Sequence, residues 1–321
     1  MPDLSVTIGR LALANPVLTA AGTFGYGVEF QDAVPLQQLG GVVTKTISRQ
    51  PRAGNAPPRL VETPSGMLNA VGLQNAGFDA FLREKLPRLG ALRVPIVVSI
   101  LGESTGDVDA MCGQLDQQAG VAAIELNLSC PNLRRAGQAS DASRGWMVAQ
   151  DPESTAEIVR AARARTTKPL IAKLTPDVMD PRPVARAAME AGADALTLVN
   201  TFTGMSLDPS TRRSRLGALT GGLSGPAIRP LAVYRVWLVH QALRCPIIGL
   251  GGIATAEDAL EFIVAGAAAV AVGTANFADP AAAVRIISGM EEFLSRHRIA
   301  AVRDLVGTVQ EDRHGAPLAI A

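Results

Sequence analysis

Eight short apolar runs, separated by longer stretches of helical pattern, set the limits on what this chain can fold into. They are Pro16–Ala20, Gly41–Thr44, Pro95–Ile100, Ala122–Leu126, Pro169–Lys173, Ala195–Val199, Pro246–Leu250 and Ala268–Val272. Each reads as a continuous Val/Ile/Leu/Ala run. A strand that alternates apolar and polar residues has one wet face; a continuous run is buried on both faces and belongs to a parallel sheet covered by helices. Eight such units predict an α/β fold of the TIM (β/α)8 barrel type. An open doubly wound sheet fits less well, because no Gly-x-Gly-x-x-Gly follows the first run. Upstream, Ser5–Ile8 and Leu11–Leu13 bracket Gly9-Arg10, the signature of a hairpin, here expected to plug the bottom of the barrel. Caps support the helices: Asp151-Pro152-Glu153 and Thr255-Ala256-Glu257-Asp258 read as starts, Gly192 and Gly266 as stops. No composition shift marks a boundary, so a single domain over residues 1–321 is expected.

Composition narrows the function. A net charge of +1 and 4% aromatic residues, with no long basic stripe, argue against nucleic acid as a partner. No apolar run reaches the roughly 18–20 residues that cross a bilayer. Met1-Pro2-Asp3-Leu4-Ser5 lacks the charged-then-apolar layout of a signal peptide, so a cytoplasmic location is expected. Three Cys fit a reducing compartment and cannot supply the four thiolates of an iron–sulfur cluster. His240, His297 and His314 are widely spaced, and no metal site is expected.

The fourth run delivers Asn127-Leu128-Ser129-Cys130-Pro131-Asn132 to its C-terminal end. Pro131 cannot continue a ladder and forces a turn. Two amides flank a thiol that, deprotonated, serves as nucleophile or base. Cys112 lies in a helical pattern and Cys245 at a strand start; both read as packing residues. The other strand ends add Ala20-Ala21-Gly22-Thr23, Thr44-Lys45-Thr46, Ser99, Lys173, Asn200-Thr201, Gly251-Gly252 and Gly273-Thr274. Glycine pairs after the seventh and eighth strands allow backbone N–H groups to approach a phosphate. Lys45 and Lys173 sit beside apolar residues, where an ammonium calls for an anion; for Lys173, Glu125 is one candidate. Two long segments, Arg49–Asn75 and Leu133–Gln150, leave from the same barrel face and read as loops over a site. Phosphate site, lysines and amides together suit a flavin mononucleotide, FMN, with Cys130 over its ring.

In order along the chain, Ala21-Gly22-Thr23-Phe24-Gly25, Thr44-Lys45-Thr46, Asn69-Ala70-Val71-Gly72-Leu73-Gln74-Asn75, Asn127–Asn132, Asn200-Thr201, Thr220–Ala227, Gly251-Gly252-Ile253 and Gly273-Thr274 resemble the class 1 dihydroorotate dehydrogenases, most closely the 1B branch. The resemblance implies oxidation of dihydroorotate to orotate in pyrimidine synthesis, with Cys130 as the base at C5 and hydride passing from C6 to FMN N5. By the same resemblance, substrate contacts fall on Lys45, Asn69, Ala70, Val71, Gly72, Leu73, Asn127, Asn132, Asn200 and Thr201. Flavin contacts fall on Ala21, Lys45, Thr46, Ser99, Asn127, Lys173, Val199, Gly225, Gly251, Gly252, Gly273 and Thr274. A homodimer core and an electron-transfer subunit with FAD and a [2Fe–2S] cluster, forming a heterotetramer that delivers electrons to NAD, are implied as well. Ser99 stands where many relatives carry Asn, Ala76 where Pro is frequent, and Leu133–Gln150, with Arg134-Arg135 and Trp146, is longer than usual. Two other readings compete: an FMN enzyme acting on another pyrimidine such as uracil, and a non-redox phosphate-binding barrel such as an aldolase or isomerase.

Overall fold

The computed structural model describes residues 1–129 and 147–310. Each of the eight runs forms a strand: β1 Val17–Thr19, β2 Gly41–Val43, β3 Ile96–Leu101, β4 Ala123–Asn127, β5 Leu170–Lys173, β6 Ala195–Leu198, β7 Ile247–Leu250 and β8 Ala269–Val272. Every residue in them is buried, which is the reason the runs do not alternate. Neighbours follow the order β2-β1-β8-β7-β6-β5-β4-β3, and β3 returns to β2 through Val42↔Ile96 and Val43↔Val97. The sheet is therefore a closed parallel barrel with helices between its strands.

The helices begin and end where local chemistry directs. Asp151 accepts the Ser154 N–H at 2.8 Å and Pro152 opens the helix Pro152–Arg163. Thr255 and Asp258 form a capping box at the start of Ala256–Ala265. That helix stops at Gly266, whose φ of 122° few side chains tolerate. Further helices over Thr105–Asp116, Arg182–Glu190, Arg229–Leu243 and Ala282–His297 complete the outer layer.

The hairpin Val6–Ile8/Leu11–Leu13 pairs Val6↔Leu13 through Ile8↔Leu11. Val6, Ile8, Leu11 and Leu13 face inward while Thr7 and Ala12 face water. At its turn Gly9 lies against Asp194, where an added Cβ would stand 2.7 Å from the Asp194 Cβ. Asp194 immediately precedes β6, so the hairpin covers the N-terminal end of the barrel, as the sequence led us to expect.

At the opposite end the segment Arg49–Asn75 carries more order than its composition suggests. Arg49–Asn75 contains strands Leu60–Thr63 and Gly66–Asn69. These join Phe202–Gly204 and Gly221–Ser224, from the β6–β7 connection, in a four-stranded antiparallel canopy. Its strands are short, three of the four contain glycine, and Asn69 bonds Gly222 across 153 residues; no local pattern signals such a pairing. The canopy has a small apolar centre of Leu68, Ala70 and Leu216, separate from the barrel core.

Asp194 fastens the plug. It accepts from Arg10 Nε at 2.9 Å, Arg163 Nη1 at 3.0 Å and the Leu170 N–H at 2.8 Å. Burial acts to raise its pKa, but Arg10, the Leu170 amide and Arg163 outweigh it and hold the carboxyl below its ordinary value. The stabilisation is thus complete above the ordinary carboxyl pKa and fades as pH falls through the depressed one. Asp194→Asn is expected to cost about 1–3 kcal/mol near neutral pH. Thermal unfolding of both proteins should show that gap closing in strongly acidic buffer, where the wild-type carboxyl is protonated.

Candidate functional site at the C-terminal mouth

Parallel closure brings all eight strand C-termini to one rim. On the side of β2, β3 and β4 a buried polar seam runs around the wall. Asn127 Nδ2 donates to Thr46 Oγ1 at 3.2 Å, and the Thr46 and Ser99 hydroxyls lie 2.9 Å apart. Ser99 is fully buried, so the shorter side chain at this position binds the neighbouring strand end and holds Thr46 in place. Asn127 Oδ1 accepts the Ser129 N–H at 3.3 Å, which shapes the turn leading out of β4.

Two lysines rise from this wall. Lys173, at the end of β5, is only 3% exposed and sits in register with Asn127 on one side and Thr197 on the other. Lys45 follows β2, its backbone held by Gly25 O at 2.8 Å. Burial, and then the neighbouring Arg59 charge, lower the Lys45 pKa. No described residue gives either ammonium a hydrogen bond or an ion pair. The Glu125–Lys173 ion pair considered from sequence does not form; Glu125 Oε2 instead accepts from Thr197 Oγ1 at 3.1 Å.

Across the rim, the ends of β7 and β8 are built from bare backbone. Gly251 and Gly252 have φ of 136° and 73°, and Gly225, facing them, has 95°. A Cβ on Gly252 would lie 2.8 Å from Gly225 O and 2.9 Å from Arg229 N, so only glycine allows this approach. Among the described residues, the N–H groups of Gly251, Gly252, Gly273 and Thr274 find no acceptor. Buried or half-buried amides rarely go unpaired, and four at adjacent strand ends suit a phosphate. Thr274 Oγ1 donates to Ser224 Oγ at 2.8 Å, joining this cradle to the canopy.

The canopy positions the remaining residues. Asn69 is in register with Gly222 and donates to its carbonyl at 3.2 Å. Thr201 packs directly against Gly222, and the Asn200 N–H is held by Leu174 O at 3.0 Å. Asn69 and the Asn200-Thr201 pair therefore meet at one place although they leave different strands. Ala70, Val71, Gly72 and Leu73 form the turn below, with Gly72 and Leu73 both in the left-handed region at φ 73° and 55°. Asn75 secures it from beneath. Its Nδ2 donates to Ser48 Oγ at 2.9 Å and Leu73 O at 2.8 Å, and its Oδ1 accepts the Gly77 N–H at 2.9 Å. Ala21 and Val199 lie on the rim at the ends of β1 and β6, Val199 entered through a cis peptide from Leu198.

Cys130 and Asn132 lie outside the described residues, as do Arg134, Arg135 and Trp146. The other residues named from sequence as substrate or flavin contacts stand on this mouth or its canopy. Ser48 and Thr197 were given no role from sequence, and Ser224 entered only as part of the Thr220–Ala227 motif, because each acts through a partner distant in the chain. Cys112 and Cys245 are the packing thiols expected, burial pushing their pKa values up to about 12 and about 11.

A family model described as dihydroorotate dehydrogenase matches residues 3–294 of this chain. Relatives that carry the name dihydroorotate dehydrogenase B (NAD(+)), catalytic subunit, include the following three. The protein of Geotalea daltonii is 50% identical over 309 residues, 96% of this chain and 99% of the relative. That of Desulforudis audaxviator is 50% identical over 94% of this chain and 96% of its own. That of Geobacter sulfurreducens is 48% identical, over 96% and 99%.

The Asn75 contacts make the turn above it dependent on one side chain. Asn75→Ala leaves the buried Ser48 hydroxyl and the Gly77 N–H short of a partner and should cost about 1–3 kcal/mol. Hydrogen exchange is the direct measurement: amides of residues 69–75 should lose protection while those of β4 and β5 keep theirs.

Proposed function

Because this chain belongs to the dihydroorotate dehydrogenase family, we propose that it is the catalytic subunit of an FMN-dependent enzyme that oxidises (S)-dihydroorotate to orotate in de novo pyrimidine synthesis. Electrons leave for NAD through a partner subunit carrying FAD and a [2Fe–2S] cluster, with a homodimer of this chain as the core of a heterotetramer. The observation that carries the reading is the meeting, at one mouth, of four unclaimed amides on β7 and β8 with two lysines that no described residue pairs. That arrangement fits a phosphorylated planar cofactor with delocalised negative charge.

Each residue has a task in this reading. The N–H groups of Gly251, Gly252, Gly273 and Thr274 hold the phosphate, and the bare backbone of Gly225 lets the chain close over it. Thr46, Ser99 and Asn127, already locked together, present a fixed polar edge to the ring, while Ala21 and Val199 bound it. Lys173 supports the ring's negative charge. Lys45 and the backbone of Ala70 to Leu73 receive the substrate carboxylate. Asn69, Asn127, Asn132, Asn200 and Thr201 hydrogen-bond the pyrimidine amides, donors and acceptors that an amide side chain matches in pairs. Cys130 removes the proton from C5. The bound FMN supplies the acceptor for the C6 hydride at its N5. Burial of Lys45 lowers the cost of releasing its proton in the free enzyme, and an arriving carboxylate restores the charged form.

Anaerobic mixing of the yellow protein with dihydroorotate should bleach the flavin band. Cys130→Ala should keep the flavin but slow that bleaching by about 10² to 10⁴, the range for a lost general base; an undiminished rate would remove Cys130 from the role. Lys45→Ala should reduce both flavin retention and bleaching, and normal values for both would make Lys45 structural. Bleaching by dihydrouracil instead would favour the other pyrimidine reading. A protein that stays colourless after reconstitution with FMN, and forms a borohydride-trapped adduct on Lys45 or Lys173, would favour the aldolase-like barrel.

A further inference from the structure

The eight barrel strands contain only two ionisable side chains, Glu125 on β4 and Lys173 on the adjacent β5. Both are buried, at 2% and 3% exposure. Glu125 Oε2 receives the Thr197 hydroxyl at 3.1 Å, while Glu125 Oε1 is buried with no hydrogen-bond partner among the described residues. Thr197 belongs to β6, on the far side of β5. The carboxylate thus reaches from β4 over β5 to β6, across the inner face on which Lys173 is in register with Asn127 and Thr197. It passes beside the lysine without closing an ion pair.

A buried carboxylate with an unmet oxygen is unfavourable unless a positive charge lies close. Lys173 is the ionisable neighbour in the wall that supplies one. Thr197 holds the carboxylate back from contact, so the ammonium keeps its donors free for the mouth while feeling the negative charge through a weakly screening interior. We propose that Glu125 is a positioning residue that partly offsets the charge of Lys173 and so keeps the reduction potential of the bound flavin low. This rests on the FMN reading above. Lys173 alone favours the negative charge that the cofactor gains on reduction; a fixed carboxylate beneath it opposes that gain. A flavin held at lower potential is the better donor to an acceptor such as NAD, the acceptor in the names of the relatives.

The test is the midpoint potential of FMN bound to the purified chain, by anaerobic equilibration with a reference dye, in wild type and Glu125→Gln. Gln keeps the shape and an oxygen for Thr197 but removes the charge. The expected result is reduction made at least tenfold more favourable, a positive shift of about 30 mV or more for a two-electron couple. In a Lys173→Met background the same substitution should shift the potential by less than a third as much. Bound flavin with an unchanged potential in Glu125→Gln, or an equal shift without Lys173, overturns the proposal and leaves the functional reading standing. A wild type that binds no FMN overturns both. Glu125→Met, which removes charge and unmet oxygen together, should give the same positive shift; collapse of both variants would assign Glu125 to folding alone and overturn the proposal.

Discussion

Closure of the ladder between β2 and β3 is the constraint on which the rest depends. Two register pairs, Val42↔Ile96 and Val43↔Val97, turn an open sheet into a ring with no free edge. Every neighbouring pair around the ring is parallel, so every strand C-terminus is delivered to one rim. Most of the buried polar side chains of the wall lie toward that rim, Glu125 at the middle of β4 being an exception. Thr46, Ser99 and Asn127 can be fully enclosed there because each finds its partner on the next strand end.

The rim divides into two kinds of surface. Over β2 to β6 it is made of side chains: hydroxyls, amides and two lysines. Over β7 and β8 it is made of main chain, where Gly251 and Gly252 have positive φ and their N–H groups have no acceptor among the described residues. A ligand with one soft, charged, planar end and one phosphate end would match that division.

What was readable from sequence follows from the range of the interactions involved. The eight strands were legible because burial on both faces leaves a continuous apolar run within four to six residues. Helix ends were legible because Asp151, Thr255 and Gly266 act on backbone groups within a turn of themselves. The strand-end lysines and glycine pairs were legible because their position next to a run placed them on the rim. The canopy was not, since Gly66–Asn69 and Gly221–Ser224 are short, poor in branched residues and paired only by distant contact. Nor could sequence decide whether Glu125 would pair with Lys173; the outcome depended on a threonine hydroxyl two strands away.

The canopy's separate apolar centre has a consequence of its own. Leu68, Ala70 and Leu216 pack among themselves, apart from the continuous core that fills the barrel and its helices. The ceiling over the mouth is therefore a small module seated on a large rigid one. Substitutions in it can reshape what the mouth admits without touching the wall that aligns the reacting groups, so selectivity and folding robustness are free to diverge independently within the same chain.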